Sequence, residues 1–288
     1  MIASGIVMIL VIVPAIAIVL HSARKEKTQN PAAAVAKPAV EAITPTVSSP
    51  VPTAEPASSA SPDAGSSTEM AVNEIREMVS QLAVQISQKS GYEFGPEFIE
   101  LIRARSHEYA SAKALLVARQ YRREINKSFH DEGLHPLIGY VLAMSRSKFD
   151  LSSSDKGVGV WQIPVGVARS QGYLGATENS TKLKVPEVSA QIAASYTRQL
   201  LSAFEPEDFM YAIGCFGMNL QEAGRLQGRL VTVIPDTKSR RDINKAIQAG
   251  VLSGEQVDNI ARFFAAGIVG ENPQKFGLAD SQPLSSLY

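Results

Sequence analysis

Apolar residues beyond position 70 recur at spacings of three and four, and this constrains the fold more than any other feature of the sequence. The first run is Val72, Ile75, Met78, Val79, Leu82 and Ile86. Such spacing places the apolar side chains on one face of a helix. Similar patterns predict further helices, which begin at Pro96 and Pro136 or cover residues 111–129, 188–204, 208–224, 242–249 and 255–270. Only residues 230–234 favour a strand, so the sequence predicts an all-α domain.

An apolar segment at residues 2–20 contains no charged side chain. Its length matches the roughly 20 residues that a helix needs to cross the hydrocarbon core of a bilayer. We expect a transmembrane anchor over residues 1–22. The alternative is a signal peptide, but no Lys or Arg precedes the segment and no small-x-small cleavage site follows it. Arg24, Lys25 and Lys27 follow the segment, and the positive-inside rule would place the rest of the chain in the cytoplasm.

Residues 23–67 are rich in Ala, Pro, Ser, Thr and Val, and prolines recur at positions 31, 38, 45, 50, 52, 56 and 62. A segment with so few large apolar side chains cannot offset the entropy lost on ordering. The composition therefore predicts a disordered linker that tethers the folded domain.

Charge and cysteine content exclude several classes of function. The 28 Lys and Arg residues balance the 28 Asp and Glu residues, so we expect no nucleic-acid partner. Cys215 is the only cysteine, which excludes an internal disulfide. His130 and His135 flank Gly133, but a spacing of five does not place two imidazoles on one helical face, and Gly133 is typical of a helix C-terminus. We expect neither a metal site nor a cofactor.

Five segments in the second half of the chain follow one another in a recognisable order. They are EGLHP (132–136), GVGVWQIP (157–164), AASYTRQL (193–200), DFMYAIGCF (208–216) and FAAGIVGENPQKFGL (264–278). Together they resemble the conserved segments of membrane-bound lytic murein transglycosylases of the D type. This resemblance implies a lysozyme-like helical domain (the SLT type) at residues 131–288, with a helical N-terminal part at residues 68–130.

Members of that family cleave the glycan strands of bacterial peptidoglycan, so the resemblance implies peptidoglycan or a cell-wall protein as partner. It also implies an extracytoplasmic location, in conflict with the positive-inside rule. The implied glycan groove contains Gly159, Trp161, Gln162 and Phe216. Glycine lets a backbone approach a sugar closely, Trp161 offers a flat apolar face and Gln162 both donates and accepts hydrogen bonds. The alternative for Trp161 and Phe216 is core packing, and for Gln162 it is support of its own loop.

The sequence departs from the family where the chemistry takes place. The family's catalytic Glu must give and take a proton at the end of the helix that starts at Pro136. Counting from Gly133 places it at Ser145, and counting back from Phe149 places it at Arg146. Serine is a poor acid and arginine stays protonated, so neither can replace it. Phe216 stands where the family has Tyr. Asp150 is the nearest substitute acid, and its alternative role is to cap the loop.

Three functions follow from these residues. The first is a membrane-anchored, catalytically degenerate transglycosylase-like protein that binds peptidoglycan or a cell-wall partner. The second is an active lytic transglycosylase with a non-standard acid such as Asp150. The third is a structural or assembly protein that reuses the helical scaffold without binding glycan.

Overall fold

The computed structural model describes residues 70–288, which belong to one compact unit. This part of the chain forms α-helices and one short hairpin. The helices are α1 (Val72–Ser87), α2 (Pro96–Ser106), α3 (Ala112–Ala118), α4 (Arg122–Asp131), α5 (Pro136–Ser147), α6 (Val165–Ser170), α7 (Pro186–Ser202), α8 (Phe209–Gly214), α9 (Leu220–Val233), α10 (Thr237–Arg240), α11 (Ile243–Gln248) and α12 (Gly254–Glu271). Antiparallel strands β1 (Ser153–Ser154) and β2 (Gly157–Val158) form the hairpin. The predicted all-α class is confirmed for these residues.

Helix α12 lies at the centre of the domain. From Phe263 to Gly270 every residue is buried, and a helix buried on all sides belongs to the core. Helices α1, α2, α5 and α8 pack around it. At Gly267 a Cβ atom would lie 2.3 Å from Leu82 Cδ2, so α1 and α12 approach more closely than a larger residue allows. The helices before and after residue 131 share this single core.

Proline and polar caps start the helices around the site. Pro136 is the first residue of α5, and His135 accepts a hydrogen bond from Leu137 N through its side chain (3.3 Å). Gly133, between α4 and α5, has a φ of +67°, which confirms its predicted place at a helix C-terminus. Helix α12 begins with a capping box formed by Ser253 and Gln256.

Three predicted elements are corrected. Residues 230–234 end α9 instead of forming a strand, because only Leu230 and Ile234 are buried there and a spacing of four matches one helical face. Residues 208–224 do not form one helix. The chain breaks at Gly217, where φ is +107°, and α9 starts again with the capping box of Asn219 and Glu222.

The third correction is at residues 111–129, where a 3₁₀ turn (Arg119–Tyr121) separates α3 from α4. The predicted membrane anchor and the predicted linker both lie outside the described residues. Among residues 70–288, no helix combines the length and the apolar composition that crossing a bilayer requires.

Candidate functional site

The two positions at which the family resemblance implies a catalytic acid, Ser145 and Arg146, lie at the end of α5 and line one cleft. The helix is terminated by Lys148 and Phe149, which have φ values of +56° and +64°. Two successive non-glycine residues in the left-handed region are costly, about 1 kcal/mol or more each, and occur where the surrounding structure enforces them. This sharp turn leaves Ser145 and Arg146 on the last helical turn, where both line a small cleft.

Arg146 is the candidate whose side chain reaches the centre of the site. Its guanidinium carbon lies 5.6 Å from the centroid of the Phe216 ring, within cation–π distance. Its Nη1 donates a hydrogen bond to Asn259 Oδ1 on α12 (3.2 Å). The Ser145 hydroxyl instead donates back to Leu142 O (3.0 Å), as helical serines commonly do. The position counted back from Phe149 is therefore the one that faces Phe216.

The charge of Arg146 is poorly compensated. Burial lowers the pKa of the guanidinium, while Tyr196 and Glu255 partly oppose this shift. The Nε atom is buried and has no hydrogen-bond partner in the part of the chain that the structure describes. No carboxylate among residues 70–288 forms an ion pair with Arg146, and its one hydrogen-bond partner is a neutral amide. An unpaired buried polar group costs about 1–3 kcal/mol.

Phe216 is a core residue at the base of the site. Its ring is 2% exposed and lies 5.2 Å from the ring of Tyr196 on α7. The Tyr196 hydroxyl donates to Met218 O and accepts from Gly217 N (3.1 Å), which fixes the turn that follows Phe216. Burial raises the pKa of Tyr196 well above its usual range, so this hydroxyl stays protonated. The core alternative for Phe216 is the one that the structure shows.

The loop at residues 157–164, which contains Gly157 and Gly159, is packed against the protein's own backbone. A Cβ atom at Gly157 would lie 2.2 Å from Gln162 O, and one at Gly159 would lie 2.1 Å from Leu183 O. Both glycines have φ values that L-residues rarely adopt, +152° and +75°. The close approach that we predicted for a sugar at Gly159 is thus made instead by the Leu183 carbonyl.

Trp161 and Gln162 are both buried within this loop, in keeping with the alternatives of core packing and loop support. Trp161 is fully buried, donates from Nε1 to Gly139 O (3.1 Å) and packs edge-on against Tyr121. Gln162 donates from Nε2 to Ser152 O (2.8 Å) and Gly159 O (2.7 Å). Its Oε1 accepts from the Ser154 hydroxyl (2.6 Å). The amide is therefore committed to holding the hairpin and its loop together.

Asp150 is exposed and serves its own loop. One carboxylate oxygen accepts a hydrogen bond from Ser152 N (2.9 Å), which is an Asx turn. No contact among residues 70–288 joins Asp150 to Arg146 or Phe216. The capping alternative is the role that the structure shows for this side chain.

Arg146 lines one cavity and lies close to Gly217, which lines a second. The smaller one, about 20 Å³, is lined by Ser145, Arg146, Lys156, Asn259 and Arg262 and is called the arginine cleft below. The larger one, about 570 Å³, lies between α6 and the start of α9 and is called the α6–α9 cleft. Gly217 lines the α6–α9 cleft, and a Cβ atom added to Gly217 would lie 3.4 Å from Arg146 Nη2.

Four charged residues form a closed network behind the arginine cleft. Arg262 donates to Glu108 and Asp258 (both 2.7 Å), and Arg105 contacts the same two carboxylates (2.8 and 2.7 Å). Burial raises the pKa of Glu108 and Asp258, but the two arginines outweigh it and hold both pKa values below their ordinary range. The charge of Arg262 is thus already neutralised, whereas that of Arg146 is not.

Sequence reasoning missed Asn259, Lys156 and Arg262. Asn259 and Arg262 lie on α12, more than 110 residues after Arg146, and only the tertiary fold brings them together. The available signal was weak: Asn259 is a polar residue beside the buried Ile260. No protein-family model matches this chain, and no curated protein matches it significantly.

Proposed function

We propose that this chain is a catalytically inactive, lysozyme-like relative of the lytic transglycosylases that binds the glycan strands of peptidoglycan. The observation that carries this proposal is the placement of Arg146 over Phe216, at the helix end where the family has its acid. In the same proposal, residues 2–20 anchor the chain in the membrane, residues 23–67 act as its tether and the folded domain lies outside the cytoplasm.

Absence of glycan cleavage follows from the acid–base chemistry of the site. The reaction needs one group that first donates a proton to the glycosidic oxygen and then removes one from the sugar. Arg146 cannot release its proton near neutral pH, and the Ser145 hydroxyl is bonded to its own helix. Among the described residues, no Asp or Glu forms a hydrogen bond or an ion pair with Ser145 or Arg146.

The α6–α9 cleft is the place we propose for the glycan. Its volume of about 570 Å³ lies within the range of pockets that hold small ligands, roughly 300–1,000 Å³. Ser170, Gln171 and Gln221 line it and supply hydroxyl and amide groups of the kind that bind sugar hydroxyls. The Gln171 and Gln221 side chains make no hydrogen bond within the described part of the chain.

Co-sedimentation of the full-length chain with insoluble peptidoglycan tests this proposal. We expect the chain to pellet with peptidoglycan and the double variant Gln171→Ala/Gln221→Ala to pellet about tenfold less, because two sugar contacts are lost. The matched control is Gln191→Ala, an exposed glutamine in a different cavity beside α7. Equal sedimentation of all three proteins would refute the α6–α9 cleft as the glycan site.

A second function, a scaffold that does not bind glycan, is favoured by the burial of Trp161 and Gln162. Both side chains that the family resemblance assigned to the groove are committed to the protein's own backbone. If the wild-type chain stays in the supernatant with peptidoglycan in excess, the scaffold function is the better account.

A further inference from the structure

One edge of the Arg146 guanidinium has no hydrogen-bond partner, and its Nε atom is buried. Nη1 is bonded to Asn259, whereas Nε and Nη2 donate no hydrogen bond within residues 70–288. The Nε–Nη2 edge of arginine presents two parallel N–H groups, the arrangement that matches the two oxygens of a carboxylate. Burial also lowers the pKa of Arg146, so a buried anion beside it would relieve the unfavourable desolvation of the cation.

The lining of the arginine cleft supplies positive charge without a free negative one. Lys156 is exposed and forms no ion pair in the described part of the chain. Glu108 and Asp258 both form ion pairs with Arg262, so these two carboxylates are already occupied. Ser145 and Asn259, the remaining lining residues, are neutral. An incoming anion therefore meets two cations that form no ion pair among residues 70–288, Arg146 and Lys156, although Glu255 acts on Arg146 from a longer distance.

The size of the cleft decides which kind of group can enter. A cavity needs roughly 10–15 Å³ to hold one water molecule, and the arginine cleft offers about 20 Å³. A pyranose ring is several times larger than that space. A carboxylate at the end of a chain needs room for little more than its two oxygens, while the group that carries it stays outside the cleft.

We propose that the arginine cleft binds a single free carboxylate of the peptidoglycan, held by the unpaired edge of Arg146, which a small movement of the side chain would expose, and by Lys156. This proposal rests on the proposed function, since it names the chemical group that the same site would recognise. Two sources carry such a carboxylate: the lactyl group of a muramic acid without its peptide, and the C-terminus of a peptide stem. On this account the residue that replaced the acid acts as a binding residue.

Titration of the full-length chain with two ring-matched sugars tests the proposal. N-acetylmuramic acid and N-acetylglucosamine differ in the lactyl ether, which carries the carboxylate. We expect N-acetylmuramic acid to bind about tenfold more tightly and to shift the Nε–H resonance of Arg146 in NMR spectra. D-alanyl-D-alanine and its C-terminal amide form a second pair, which shows whether the peptide end is the source.

Four variants separate the carboxylate site from general charge effects. Arg146→Gln and Lys156→Gln should each remove most of the preference for the acidic probe, whereas Arg119→Gln, on an exposed part of the surface, should keep it. Arg146→Lys keeps the charge but loses the planar edge, so it should bind several-fold less tightly than the wild type. Backbone NMR spectra of each variant establish that it is folded.

These experiments distinguish a failure of the carboxylate site from a failure of glycan binding. Equal affinity for both members of each pair, or an unchanged preference in Arg146→Gln, would overturn the carboxylate site even if the chain still pellets with peptidoglycan. Tighter binding of inorganic phosphate than of acetate would overturn it as well. A carboxylate preference in a chain that fails to pellet would support the cleft and overturn glycan binding instead.

Discussion

Arg146 both fills space in its site and places a positive charge there. Its side chain packs on the Phe216 ring and bonds to Asn259, so it contributes contacts as well as charge. A glutamate there would be able to exchange a proton, but arginine cannot near neutral pH.

Trp161→Ala is expected to destabilise the fold by about 3–5 kcal/mol, because it removes a fully buried indole and leaves Gly139 O without its donor. Urea denaturation followed by circular dichroism is the suitable measurement, since Trp161 is the only tryptophan. Trp161→Phe keeps part of the packing and should lose less. A loss below about 1 kcal/mol in Trp161→Ala would contradict its place in the core.

At the scale of elements, the closeness of α1 and α12 depends on glycine. Gly267→Ala would bring a Cβ to 2.3 Å from Leu82 Cδ2 and is expected to cost about 1–3 kcal/mol through overpacking. The matched control is Gly224→Ala on α9, where the Cβ would meet no atom within 4 Å. That change should stabilise the chain by up to about 1 kcal/mol, since alanine favours helix. Thermal unfolding of both variants measures the contrast, and equal shifts would contradict the packing.

The sequence predicts those features of the domain that depend on neighbouring residues, and it misses those that depend on contacts between distant parts of the chain. Local signals worked: apolar spacing of three and four predicted the helices, and Gly133 predicted a helix end. The break at Gly217 was missed because the apolar pattern of residues 208–224 continues across it, while the turn is held by Tyr196 from another helix. The sequence leaves the roles of Trp161 and Gln162 open for the same reason. Trp161 donates to Gly139 O on α5, and Gln162 donates to Ser152 O across its own loop.

The site itself was only half predictable. Ser145 and Arg146 were located by counting from neighbouring motifs, which is a local operation. Asn259, Lys156 and Arg262 complete the arginine cleft through contacts between α5, α12 and the hairpin that no sequence spacing encodes. The size of that cleft likewise depends on the packing of these three elements.

At the scale of the whole molecule, acid sensitivity should come partly from the network of Arg105, Glu108, Asp258 and Arg262. Because the folded-state pKa values of both carboxylates are lowered, their contribution is complete above the unfolded-state pKa and is lost as the pH falls through the folded-state values. We expect Glu108→Gln to lower the free energy of unfolding by about 1 kcal/mol at pH 7, the size that solvent screening leaves to partly exposed pairs.

The difference between Glu108→Gln and the wild type should shrink as the pH falls through the lowered folded-state pKa values, because the wild-type carboxylates then become protonated themselves. Urea titrations at a series of pH values measure it. Glu97→Gln, an exposed residue outside the network, is the control and should show no such trend. A difference that stays constant with pH would mean that Glu108 contributes through packing and not through its charge.

The central claim is that this site has no group able to transfer a proton to a glycosidic oxygen. Incubation of the full-length chain with purified peptidoglycan, followed by mass spectrometry of the soluble fraction, tests it most directly. The account predicts no anhydro-muropeptides above the level of a heat-inactivated sample. Release of these products by the wild type, abolished in Asp150→Ala, would contradict it and identify an active transglycosylase with a displaced acid.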